Sequence, residues 1–307
     1  MTAHLLPPGI EVFERGWLSA NNIFHFGNED VSLVDSGYCP HQNLTLDLVR
    51  NAMQKHELLK LNKLVNTHLH SDHCGGNAAL VEAFNCEVLI PAAEELAVKN
   101  WDNTLLSYDN LGQECPRFSH HGLLIPGEEI LLGRSFWKIL AAPGHDPHSL
   151  MLYQADHRIL ISTDALWEEG FGVIVPELWG EAGFEEVAQT LDLLEALPVD
   201  LVIPGHGAPF TDVTKSLATA HSRLDYLASD PDRNARHGAK VSLQYRLLEW
   251  RSRDIQQVNE WIVNTPTLLN AAKLLNMTMT AFVLWLPKAL VKSGAAKLDG
   301  EVLVALA

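Results

Sequence analysis

The sequence predicts a layered α/β domain followed by a small C-terminal helical, winged-helix-like domain. Three observations predict it. Through residues 1–228, short apolar runs of strand length alternate with helical apolar spacing. Four of those runs end at a histidine or an aspartate. From residue 229 onward the pattern turns to helices that close on a β-hairpin.

The first strands are read at 10–13, 20–26 and 31–34, separated by turn residues such as Gly27-Asn28. Leu44, Leu48 and Met53 share one helical face, which predicts a helix over 44–59. A strand at 61–66, a helix at 76–84 and a strand at 87–90 follow. Residues 122–132 read as a hairpin turning at Pro126-Gly127, and 136–141, 150–153 and 158–161 as strands. Val187, Leu191 and Leu194 set one face of a helix at 184–197. A short strand at 201–203 and a helix at 211–228 complete the domain. The segment SDPDRNARHG, from Ser229, reads as a linker. Helices at 239–251, 255–263, 267–275 and 278–291 come next, the last two joined at Asn276, and a final hairpin centres on Asp299-Gly300.

Composition bounds the function. Hydrophobic residues make up 47% of the 307 and charged residues 20%, as in an ordinary globular protein. Acids outnumber bases 38 to 22, for a formal charge of −16. Neutralising a phosphate backbone needs the opposite balance, so nucleic acid and anionic membrane surfaces are disfavoured as partners. The N-terminus has no basic segment followed by an apolar run, and the apolar stretch 268–291 is interrupted by Lys273, Asn276, Pro287 and Lys288. Cys39, Cys74, Cys86 and Cys115 form no CxxC pair, so the cytoplasm is the expected compartment. The partner expected is a small molecule, with a homodimer left open.

The chemistry gathers where strands end. LNKLVNT runs into His68, FWKILAAPG into His145, RILIST into Asp164 and LVIPG into His206. In layered α/β folds, ligands bind where strand ends and their loops converge. His68-Leu69-His70-Ser71-Asp72-His73 packs four ligand-type side chains into six positions. Alternation puts His68 and His70 on one side of an extended segment. Imidazole and carboxylate suit zinc and other first-row metals. The bland alternatives are a loop histidine for His145 or His206 and a helix cap for Asp164; their joint occurrence, each after a strand, favours a metal site.

The pieces THLHSDHCGG (67–76), APGHDPHS (142–149), ISTDALW (161–167) and IPGHG (203–207) resemble the metallo-β-lactamase superfamily over residues 10 to 228. LVDSG (33–37) is similar to the family's early strand-and-Asp element. The resemblance implies an αββα sandwich with two divalent metal ions at one edge, zinc first, with iron or manganese as alternatives. His68, His70 and His145 then correspond to ligands of one ion, and Asp72, His73 and His206 to ligands of the other. Asp164 corresponds to the bridging carboxylate, and Asp35 to a residue that orients ligands. Asp72 and Asp164 are the implied catalytic residues. The implied reaction is hydrolysis by a metal-bridging hydroxide, with an ester, thioester or lactone as substrate. Alternatives within the family are a mononuclear iron sulfur dioxygenase and a β-lactam or phosphodiester hydrolase. PGHDPH departs from the PGHT-x-G of glutathione thioesterases. His148, Trp167 and Phe171 are the candidate substrate-pocket residues.

Overall fold

A computed structural model describes residues 6–28 and 30–306. Two sheets form its centre. The first has six strands in chain order: β1 (Ile10–Phe13), β2 (Asn22–Phe26), β3 (Val31–Val34), β4 (Lys63–Val65), β5 (Glu87–Pro91) and β6 (Gly122–Leu124). The β1–β3 portion is an antiparallel meander, and β3 through β6 run parallel. The second sheet has the order β11 (Leu201–Pro204), β10 (Ile159–Thr163), β9 (Leu150–Gln154), β8 (Ser135–Ala141), β7 (Glu129–Leu132).

Period-two alternation divides each strand between two cores. Ile23, Val34 and Val65 face Ile139, Leu152, Ile161 and Ile203 across the sandwich. Their neighbours Phe24, Leu33 and Leu64 point outward against α1 (Gln42–Lys55) and α3 (Asn77–Phe84) through Val49, Met53 and Leu80. On the far side Leu160 and Val202 meet Val187 and Leu191 of α6 (Phe184–Glu195) and Leu217 and Leu224 of α7 (Val213–Ala228). The central strands β3, β9, β10 and β11 are buried on both faces, so they read as near-continuous apolar runs. Each fully buried aliphatic side chain contributes about 1.5–3 kcal/mol. The expected αββα sandwich is what forms.

Two local expectations need correction. Residues 122–132 do not form a hairpin: β6 pairs with β5 and β7 with β8, so the turn at Gly127 carries the chain from one sheet to the other. The turn chemistry is as read, with Gly127 at φ +95°, but strand pairing is decided by tertiary contacts. The segment read as a linker is the first part of a 20-residue helix, α8 (Pro231–Trp250). Pro231 stands in its first turn, where no N–H is required, and the Asp230 carboxylate caps it by accepting from the Asp232 amide at 3.2 Å. The helices α4 (Glu95–Asn100) and α5 (Tyr108–Leu111) lie where no element was read.

The C-terminal part has the expected form. After α8 come β12 (Ser252–Asp254), α9 (Ile255–Asn264), α10 (Pro266–Leu274) and α11 (Met279–Lys292), then β13 (Ala296–Asp299) and β14 (Val302–Ala305). Helices α10 and α11 meet at 101°, with Asn276 in the left-handed region at the joint. The three strands make a small sheet, β12-β14-β13. Among the described residues no single helix is long and apolar enough to cross a membrane.

Candidate metal centre

Five strands deliver their C-terminal ends to one edge of the sandwich. In the first sheet β3 and β4 are parallel; in the second, β10 and β11 are parallel and β8 shares their direction through antiparallel β9. Beyond these ends lie Asp35, His68, His145, Asp164 and His206. The remaining ligand-type residues follow His68 directly. His70 precedes a single helical turn, α2 (Ser71–Cys74), which swings Asp72 and His73 inward.

Side-chain donors meet in two groups. His68, His70 and His145 bring ligand atoms within 4.8 Å of one another, and Asp72, His73, Asp164 and His206 do the same. Asp164 stands between the groups. Its Oδ2 lies 3.3 Å from His145 Nε2 and 3.4 Å from His73 Nε2. His206 Nε2 lies 3.1 Å from Asp72 Oδ2 and 3.9 Å from Asp164 Oδ1. His70 Nδ1 is 2.9 Å from His145 Nε2. The structure therefore brings all seven residues to one place, His68, His70 and His145 in one group and Asp72, His73, Asp164 and His206 in the other.

The outer atoms are held as firmly. Asp35 Oδ2 sits 2.7 Å from His73 Nδ1 and accepts from the Thr67 hydroxyl at 2.8 Å, while Oδ1 accepts from the Thr67 amide at 3.0 Å. That orients the His73 ring, with Nδ1 toward Asp35 and Nε2 facing inward. His145 Nδ1 faces the Val173 carbonyl at 2.5 Å, turning its Nε2 toward Asp164. Glycine permits the closeness: a Cβ on Gly205 would lie 2.3 Å from Asp164 Oδ1, and one on Gly172 2.5 Å from His145 Nδ1.

Burial and charge oppose each other here. Burial, with His73 and His70 adding, drives His68 well below the ordinary histidine range. Burial also holds His70 down, at about 4. For His73 burial acts in the same sense, yet the carboxylates of Asp164, Asp35 and Asp72 outweigh it and raise it well above the ordinary value. Burial disfavours the Asp164 carboxylate, but His73 and His206 outweigh it and hold its pKa well below the usual range. The site thus concentrates carboxylates in a buried place where they need cations.

The donor set fits divalent metal ions. Nε2 of both His68 and His73 is buried without a hydrogen-bond partner. A buried orphan of this kind costs about 1–3 kcal/mol, and coordination would remove the cost. A third group, Asp192, Glu195 and His221, has two exposed members and a half-buried one.

A cavity of about 560 Å³ opens onto the centre. His70, Asp72, His145, Asp164 and His206 form its floor, and Trp167 its side, as expected. Trp167 Nε1 donates to Asp164 Oδ1 at 3.2 Å. Two other candidates do not line it. His148 is exposed and stands outside the lining, its backbone amide donating to Asp146 Oδ1 at 2.8 Å. Phe171 is buried behind the wall, with the Arg223 guanidinium 5.1 Å over its ring. Cys74 is a buried packing residue beside the Tyr108 hydroxyl. Several residues that sequence reading missed do contribute. Trp17 stacks on the His206 ring at 5.5 Å, and buried Asn21 donates to the Pro204 and Gly207 carbonyls that flank His206. Arg223, His237 and Tyr245 line the cavity from helices. No motif marks them.

An αββα sandwich carrying five histidines and two aspartates at one edge defines a metal-binding α/β protein. The model of the metallo-beta-lactamase superfamily matches residues 15–206, and the chain belongs to that superfamily. Among curated relatives it is similar to a hydroxyacylglutathione hydrolase of Rhizobium etli, 26% identical over 173 residues, covering 56% of this chain and 55% of that one. The match therefore spans about half the length of that relative. A probable metallo-hydrolase of Methanocaldococcus jannaschii is 25% identical, over 67% of this chain and 94% of that one. Among solved structures, a metallo-beta-lactamase family protein of Thermus thermophilus superposes over 98% of this chain and 99% of that one, at a TM-score of 0.57 and 18% identity. A beta-lactamase domain protein of Burkholderia ambifaria covers 98% and 93%, at 0.58 and 16%. A protein solved in a di-iron-bound form covers 68% and 98%, at 0.50 and 25%.

Proposed function

We propose that the protein is a dinuclear metal-dependent hydrolase of small-molecule esters, thioesters or lactones. The observation that carries this reading is the pairing of two donor groups around Asp164 at the floor of a cavity. His68, His70 and His145 would hold one ion, Asp72, His73 and His206 the other, and Asp164 both. Zinc is the first expectation, and iron is supported by the relative solved with two irons. Bound there, the cations would supply Lewis acidity, making a water nucleophilic near neutral pH and polarising the bond under attack.

The chain's own residues do the rest. Asp72, on the cavity floor, accepts the proton released on attack and passes it to the leaving group. Trp17 and Trp167 flank the His206 ring, at 5.5 and 5.4 Å, and keep bulk water from that side. Asp35 and the Val173 carbonyl hold His73 and His145 in place. The hydroxyacylglutathione hydrolases among the relatives support a thioester or ester bond over a phosphodiester. Two donor groups rather than one favour this reading over a mononuclear dioxygenase. In this reading residues 1–228 carry the metal centre, and residues 229–307 supply a wall of the cavity. The four free cysteines suit a reducing compartment such as the cytoplasm.

Elemental analysis paired with ester, thioester, lactone, β-lactam and phosphodiester substrates tests the proposal. Two metals per chain and turnover of an acyl substrate are expected, with both lost in Asp164→Ala. One iron with oxygen consumption, or full turnover by metal-free Asp164→Ala, would overturn it.

A further inference from the structure

Away from the metal centre, the cavity wall has two characters. The stripe Gly238, Val241, Ser242, Tyr245 and Leu248 repeats at helical spacing along α8 and faces the cavity rather than a core. Val173 and Val175 stand in the same lining. Much of the wall is therefore apolar, with the Ser242 and Tyr245 hydroxyls and Gln244 among it. Gly238 lets α8 approach closely, since a Cβ there would lie 2.7 Å from Leu178 Cδ1.

Into this wall projects Arg223 of α7, and among the described lining residues it is the one permanently charged cation. The guanidinium is half-buried. It donates through Nη2 to His237 Nε2 at 2.8 Å and lies over the Phe171 ring. Burial and the neighbouring Arg223 push His237 down to about 4, so it accepts as a neutral ring. Burial acts on Arg223 with no carboxylate opposing it. The two lining glutamates, Glu168 and Glu169, are exposed, and Glu169 pairs with Lys215 at 3.5 Å. A half-buried cation without an anion costs free energy unless a ligand supplies the charge. Gly170 lets the backbone pack closely on the Arg223 side chain; a Cβ there would lie 2.7 Å from Nη1.

We propose that Arg223 is a specificity-determining residue that receives a carboxylate carried by the substrate at a distance from its scissile carbonyl. His237 aims the guanidinium, and the α8 stripe holds the hydrocarbon between the two ends. The substrate class is an acyl compound with an apolar chain and one distal carboxylate. This rests on the hydrolase reading and narrows it.

The test uses the full-length metal-loaded protein and two matched p-nitrophenyl esters, of octanoic acid and of the monoacid of octanedioic acid. The wild type should favour the carboxylated ester through KM. In Arg223→Ala the ratio of the two kcat/KM values should fall on the order of 10- to 100-fold, the loss expected for one charge-assisted hydrogen bond. Arg223→Lys should restore part of that ratio. His237→Gln serves as a second variant if Arg223→Ala does not fold. Equal losses on both esters, or no preference in the wild type, would overturn the assignment while leaving the hydrolase reading intact. Calorimetry with a non-hydrolysable thioether analogue of the carboxylated ester reads the contact without turnover. Binding that weakens in Arg223→Ala, with neither ester turned over, would sink the hydrolase reading and retain Arg223 as the anion site.

Discussion

Asp35→Ala should destabilise the metal-free protein and weaken its hold on metal together. The carboxylate is 1% exposed and takes three short contacts, from His73 Nδ1 and from the amide and hydroxyl of Thr67. Alanine leaves the His73 and Thr67 N–H groups buried without partners, at about 1–3 kcal/mol each. The position also has φ +57°, where alanine adds about 1–2 kcal/mol and aspartate is better tolerated. The total of about 3–8 kcal/mol corresponds to a melting point lower by roughly 6–16 °C, at about 2 °C per kcal/mol for a large domain. Freed from Asp35, the His73 ring loses its fixed orientation, so metal affinity should fall by about 10- to 100-fold. Asparagine keeps the size and tolerates the backbone, but its amide nitrogen must face a donor; Asp35→Asn should lose less stability with a comparable loss of affinity. Thermal melts of chelator-treated protein and a competition titration with a chromophoric chelator give both quantities. A metal-free Asp35→Ala melting within about 1 °C of wild type, with unchanged affinity, would refute the argument that Asp35 positions His73.

Gly205→Ala should empty the centre while the sandwich stays folded, because its Cβ would stand 2.3 Å from Asp164 Oδ1; far-ultraviolet circular dichroism and metal content check this, and full metal loading would count against it. Glu94→Gln should stabilise the protein at alkaline pH. Burial, with Asp146 adding to it, raises the Glu94 carboxyl from 4.5 to about 8. Between those values the folded chain keeps a proton that the unfolded chain releases, so wild-type stability is fully present below pH 4.5 and falls as pH rises through 8. The variant has no such loss, so its advantage should grow from pH 5 to 9, by a few kcal/mol at most. Denaturant midpoints across that range decide it, and parallel curves would reject the buried neutral carboxyl.

What was legible in the sequence was local. His68, His145, Asp164 and His206 each follow an apolar strand directly, and a strand end has a defined place in a layered fold. His70, Asp72 and His73 are adjacent in the chain. The alternation of strands and helices gave a layered α/β domain, and the family resemblance implied its αββα arrangement. What was not legible depends on partners far apart in sequence. The turn at Gly127 has hairpin chemistry, yet β6 pairs with β5. Pro231 reads as a break until Asp230 caps the helix beginning there. Phe171 lies beside the centre in sequence but behind Arg223 in space. Arg223 and His237 are ordinary helical residues 14 positions apart, and nothing short of the packing of α7 against α8 puts them 2.8 Å from each other.

That division bears on how far relatives can inform the substrate. The family match ends at residue 206, the last of the seven metal-site residues. Arg223, His237 and the α8 stripe all lie beyond it. The hydroxyacylglutathione hydrolase of Rhizobium etli shares a match over about half its length. The metal-site residues thus lie within the matched stretch, whereas the α7 and α8 part of the cavity wall lies beyond it. A centre of this kind sets which bonds can be cleaved, because it fixes where Lewis acids and a proton acceptor stand. The wall sets which molecule presents that bond, through apolar area and one unpaired cation. Chemistry can be transferred between relatives with the motifs, but specificity must be read from α7 and α8 of this chain itself. Under the proposed specificity, a largely apolar wall with one guanidinium would suit an acyl chain with one distal carboxylate better than a glutathione conjugate, with several charged groups along its peptide.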